Sequence, residues 1–92
     1  MLDKRKLLAL KSEDLQSQPL LLALWHDAQG ESEKAHEIVQ SINSPAAAHI
    51  HAYLHRQERD LSNAAYWYAQ AEEAVFVGNL EEEFSQILAK YS

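Results

Sequence analysis

Two stretches of this chain echo one another 29 residues apart. Leu22-Ala23-Leu24-Trp25-His26 aligns on His51-Ala52-Tyr53-Leu54-His55, Gly30-Glu31 on Arg59-Asp60, Ala35 on Ala64, and Val39 on Tyr68. Few of these residues are identical. The matched positions nevertheless alternate small and bulky side chains, as the packing of a helix–turn–helix unit requires. One such unit cannot bury its apolar face by itself. Two units can stack, and a further helix can then cover the face left open.

Helix punctuation agrees with that division. Asp3 is placed to cap a short first helix ending near Lys11, and polar 12–18 reads as a linker or loose turn. Pro19 suits the first turn of a second helix, because its fixed φ fits there and its missing N–H is not needed. Gly30 ends that helix. A third helix spans about 31–41, with Ala35, Ile38, Val39 and Ile42 recurring on one face. Ser44-Pro45 opens a fourth helix reaching about Glu58, and Asp60 caps a fifth with the stripe Leu61, Ala64, Tyr68, Ala71. Gly78-Asn79 breaks the chain again. Glu81, Glu82 and Glu83 then occupy the first turn of a last helix, where negative charge suits the exposed N–H groups. Its apolar face is Leu80, Phe84, Ile87, Leu88 and Tyr91. No segment alternates with period two for long enough to argue for a strand.

The expected fold is therefore all-α and a single domain over 1–92. It divides into an N-terminal helix and linker (1–18), hairpin 1 (19–42), hairpin 2 (45–75) and a capping helix (79–92).

Composition narrows the chemistry. The chain has 92 residues and no cysteine, which removes disulfides, thiolate metal sites and cysteine nucleophiles. A net charge of −6 argues against a nucleic-acid partner. Four of the eight basic residues, Lys4, Arg5, Lys6 and Lys11, crowd the first eleven positions. They read as a solvated first turn, or less simply as a basic arm for an acidic partner. The longest apolar run, Leu20–Trp25, is far short of the roughly 20 residues a membrane helix needs. No signal-peptide core is evident, and the chain reads as cytoplasmic.

The small residue, bulky residue, tight turn and Ala-x-x-x-bulky skeleton resembles the tetratricopeptide repeat. Ala23 with His26 and Ala35 with Val39 fit it, as do Ala52 with His55 and Ala64 with Tyr68. The closest stretch is 60–71. Histidines replace the usual aromatic, the early Trp is absent, and the period is shorter than the family's. The resemblance covers about 19–75 and implies a fold of stacked hairpins. The phrases LWHDAQG and HAYLHRQERDLSNAAYWY also look like a group of small bacterial proteins, a likeness that bears on fold alone.

Stacked hairpins of this kind line a concave groove with their first helices. Leu20, Leu24 and Asp27 would face it from one unit, and His49, Tyr53 and Arg56 from the other. Asp27, His49, Tyr53 and Arg56 are accordingly the candidate residues for a peptide or protein partner. Arg56 would meet a carboxylate, and Tyr53 offers an apolar body with a polar tip. The plainer alternative is a surface bridge between Asp27 and Arg56.

The five histidines are the other oddity. His51 and His55 share a helical face one turn apart, and Glu58 continues it. His26 is the repeat equivalent of His55. His26, His51 and His55 are thus the candidate set for a metal ion or small ligand, against the simpler reading of packing histidines. His36 and His49 read as exposed bystanders. Tyr66, Trp67 and Tyr68 are consecutive and cannot share one core face, which leaves partial burial or a homodimer contact.

Enzyme motifs are missing. Two glycines leave no phosphate loop or dinucleotide fingerprint, no nucleophile elbow is present, and no cofactor is implied. The expected function is a small binding or adaptor module holding a peptide or protein. The alternatives are a metal- or ligand-binding histidine cluster and a structural homo-oligomer.

Overall fold

A computed structural model describes residues 2–92. Among the described residues the regular structure is six α-helices and one 3-10 turn, with no strand. The helices are α1 (Lys4–Leu8), α2 (Pro19–Ala28), α3 (Ser32–Gln40), α4 (Pro45–Gln57), α5 (Leu61–Ala71) and α6 (Leu80–Tyr91). None is long and apolar enough to cross a membrane.

Helix starts follow the capping residues. The Asp3 side chain accepts from the Lys6 N–H at 2.9 Å, and Ser44 Oγ accepts from the Ala47 N–H at 3.1 Å. Asn79 accepts from the Glu82 N–H at 2.8 Å, while Glu82 reaches back to the Asn79 N–H, forming a capping box. Pro19 and Pro45 each occupy a first helical position. The polar stretch after α1 is more ordered than a loose turn. Ser12–Leu15 forms a 3-10 turn whose Leu15 is buried in the core.

Helix ends carry the echo into the backbone. At the end of α2 the Gly30 N–H donates to the Asp27 carbonyl and the Glu31 N–H to the His26 carbonyl, both at 2.9 Å. Twenty-nine residues later the Arg59 N–H donates to the Arg56 carbonyl at 3.0 Å and the Asp60 N–H to the His55 carbonyl at 2.9 Å. Both are Schellman ends, which need one residue in the left-handed region. Gly30 has φ 85° and Arg59 has φ 63°. Glycine fills the position without strain, whereas arginine fills it at a cost. Glu72, at φ 58°, ends α5 in the same way, so that helix stops at Ala71, short of the hairpin boundary at 75.

Consecutive helices pack in pairs, α2 on α3 and α4 on α5, and α3 also packs on α4. Ala23, Ala35, Ala52 and Ala64 are all buried, so small residues sit where helices approach most closely. The main core joins Leu24, Ile50 and Leu54 to Phe84, Ile87 and Leu88 of α6. A second cluster holds Ala52, Ala64 and Tyr68 between α4 and α5. Leu61, expected in the α5 stripe, opens that helix and is 66% exposed.

The strained end of α4 yields a direct test. Arg59→Gly should stabilise the chain by roughly 0.5–1 kcal/mol. In a domain of this size each kcal/mol raises the melting midpoint by about 4–8 °C. A lower midpoint would show that the arginine side chain contributes more than its backbone costs.

Candidate metal centre

Of the four residues expected to line an open groove, His49, Tyr53 and Arg56 meet side chains of α6, and Asp27 is buried on α2; α6 packs on both α2 and α4. Tyr53 is buried, with its ring edge-on to Phe84 at a centroid distance of 6.0 Å. Burial, with Asp27 nearby, pushes its phenol well above the ordinary range. His49 is buried and shares a 2.8 Å hydrogen bond between its Nδ1 and the Tyr91 hydroxyl. It is no exposed bystander, and burial pushes its pKa down. Arg56 Nη1 donates to Glu83 Oε1 at 2.9 Å, Nη2 donates to the Gly78 carbonyl, and the guanidinium lies 5.4 Å from the Phe76 ring centre.

Glu83 is fully buried, and it also accepts from the Tyr68 hydroxyl. Asp27 is buried and accepts from Gln57 Nε2 at 3.4 Å. Burial raises its carboxyl pKa, against the lowering effect of that bond. The alternative Asp27–Arg56 bridge does not form; Arg56 pairs with Glu83 and Asp27 with Gln57. The apolar stripe of α6 needs a face to cover, and it packs on α2 and α4.

The histidines regroup. His26 stays on α2, with Nδ1 hydrogen-bonded to Glu31 Oε1 at 2.9 Å and its ring edge-on to Trp25 at 5.1 Å. Repeat equivalence does not bring it to His55: His26 is held by Glu31 near the end of α2, whereas His55 lies on α4. The third member is His36 of α3, which sequence reasoning set aside. Its ring centre lies 5.2 Å from that of His51 and 5.0 Å from that of His55, roughly perpendicular to both. His51 and His55 stack at 4.9 Å and 13°. One nitrogen from each of the three lies within 4.8 Å of the other two.

The surroundings of this trio are polar on one side and closed on the other. His36 Nε2 is hydrogen-bonded to Glu58 Oε2 at 2.8 Å. His55 Nδ1 lies 3.5 Å from Asp60 Oδ2 and 3.9 Å from Glu58 Oε1, yet it is buried and makes no hydrogen bond. His51 is 5% exposed, and its ring stacks on Trp67 at 4.0 Å and 15°. Burial, reinforced by His55 and His36, pushes its pKa down to about 4, so it is neutral at pH 7.

No family model, curated protein or solved structure matches the chain.

A signal for His36 was present in its neighbour. Ala35 is a packing residue of α3, and α3 contacts α2 on one side and α4 on the other. The residue one step beyond Ala35 turns about 100° and reaches the next hairpin. Glu83 carried a signal too. It falls three residues after Leu80 and four before Ile87, which puts it on the buried stripe of α6 rather than on the solvent side.

That buried carboxylate makes α6 vulnerable. Glu83→Leu leaves the half-buried Arg56 unpaired and should cost about 3 kcal/mol by chemical denaturation. The Arg56→Met, Glu83→Leu double variant should recover most of the loss, since neither charge then remains. Equal losses in the single and double variants would show that shape, not charge, holds α6.

Proposed function

We propose that this chain binds a divalent transition-metal ion through His36, His51 and His55, on a scaffold of the tetratricopeptide kind. The scaffold reading rests on the helix pairs, the buried alanines and the two identical helix ends 29 residues apart. The metal reading is carried by one observation, the convergence of three imidazoles from two helices with nitrogens within 4.8 Å.

Tetrahedral zinc has Zn–N bonds of about 2.0–2.1 Å and so holds its nitrogens about 3.3 Å apart. The three nitrogens, within 4.8 Å of one another, would have to draw together to reach that spacing. Imidazole favours zinc, nickel or copper over magnesium or calcium, which prefer oxygen ligands. The buried, unbonded His55 Nδ1 supports the reading. A buried polar atom without a partner costs about 1–3 kcal/mol, and a cation would satisfy it. Glu58, bonded to His36, has the position of the outer carboxylate that fixes a ligating ring's tautomer.

The ion would bridge α3 and α4 and so tie one hairpin to the next. A peptide or protein lying along α2 and α4 would first have to displace α6, which makes the groove the weaker candidate.

Protein made without a histidine tag and stripped with chelator should take up one zinc, nickel or copper ion per chain by titration calorimetry. At a free-metal concentration about a hundred times Kd the fold should gain about 2.7 kcal/mol. His51→Ala should weaken binding by about a hundredfold or more, and His26→Ala should leave it unchanged. Retained affinity in His51→Ala, or loss in His26→Ala, would overturn the assignment.

A further inference from the structure

Hairpin 2 leaves open a face that hairpin 1 has covered. At the repeat offset, Ser32–Gln40 of α3 corresponds to 61–69 of α5. His36 of α3 meets His51 and His55 of the next hairpin. Its counterpart on α5, Ala65, is exposed, and so are Leu61 and Ala69 one turn to either side. No further hairpin stacks there. α5 packs on α4, and α6 packs on α2 and α4. Of the five large apolar side chains exposed among the described residues, four (Leu61, Tyr66, Val75 and Val77) belong to α5 or to the segment that follows it.

We infer that the outer face of α5 is a self-association surface, on which a second copy of this chain sets its own α5 antiparallel to the first about a twofold axis. The inference goes beyond the metal reading and does not depend on it.

Charge selects the second copy as occupant. The chain carries a net charge of −6, so two copies repel one another over most of their surfaces. α5 is the exception, because none of its eleven residues is charged. Arg59 stands just before it and Glu72 just after it, both exposed, and neither makes an ion pair among the described residues. Their neighbours are engaged, Asp60 with Asn63 and Glu73 with Lys90. When two such helices lie antiparallel, the start of each meets the end of the other. Arg59 of one copy then faces Glu72 of the other, and the twofold axis makes that pairing twice. Between the two pairs, Ala65 and Ala69 allow a close helix approach, and Tyr66 supplies an apolar body with a polar tip.

Stacking first hairpin on last is a poorer arrangement. α2 is already flanked by α1, the 3-10 turn, α3, α4 and α6, so it has no free side to lay on α5. The size of the contact sets its strength. A helix of eleven residues is about 16 Å long. One face of it falls short of the roughly 800 Å² per partner that a standard stable complex buries. The association is therefore weak and reversible, with a dissociation constant above about 1 μM.

Sedimentation equilibrium tests this on the full chain without a histidine tag, with chelator present so that no metal can join two copies. A monomer–dimer equilibrium should be seen below about 1 mM chain. Ala65→Glu, at an exposed position outside the core, should abolish it. Arg59→Glu and Glu72→Arg should each weaken it by about tenfold, since each sets like charges face to face twice. The Arg59→Glu, Glu72→Arg double variant should associate as the parent does, and so should an equimolar mixture of the two single variants, because opposite charges then meet again. A parent chain that is monomeric at about 1 mM, a dimer that survives Ala65→Glu, or charge-reversal losses that neither the double variant nor the mixture recovers would overturn the inference.

Discussion

Glu83 enters the interior from the first turn of α6 and is held there by the Arg56 guanidinium and the Tyr68 hydroxyl. Leaving such a charge buried without a partner costs several kcal/mol, so the pairing admits few alternatives. Apolar contacts alone would let a helix slide along its neighbours by a turn at modest cost. The ion pair removes that freedom. It sets Phe84 against Tyr53 and Tyr91 against His49, and it draws α4, α5 and α6 to a common point. Because α6 is locked across α2 and α4, the face that stacked hairpins would present to a partner is internal here. The histidine trio instead joins α3 to α4.

Much of this architecture was legible in the sequence because it rests on local chemistry. Prolines at first helical positions, Asp3 and Ser44 as caps, and Gly30 at the end of a helix act over four or five residues. Their effect therefore does not depend on the rest of the fold. The echo at 29 residues was legible for the same reason. It places Ala23 with Ala52 and Ala35 with Ala64, and all four are buried. It also places Gly30 with Arg59, which share one backbone conformation although one is the most permissive residue and the other is not.

What was not legible depended on contacts distant in sequence. Glu81, Glu82 and Glu83 are the same residue type in one helical turn, and the helix dipole explains all three equally well. Only the seating of α6 on Arg56 and Tyr68 separates Glu83 from its neighbours. The histidines show the same limit. His51 and His55 are paired by α4 alone, which the spacing revealed. Their third partner depends on how α3 leans on α4. Repeat equivalence pointed to His26, but His26 is taken up by Glu31, and His36 fills the place.

On the proposed reading, three imidazoles from α3 and α4 share one metal ion. Anomalous diffraction at the zinc edge, from crystals grown with one equivalent of zinc, tests it most directly. One dominant peak is expected, bonded to a nitrogen of each of His36, His51 and His55 at about 2.0–2.1 Å. A dominant peak on His26 with Glu31, or on surface carboxylates, with those three rings left unligated, would contradict it.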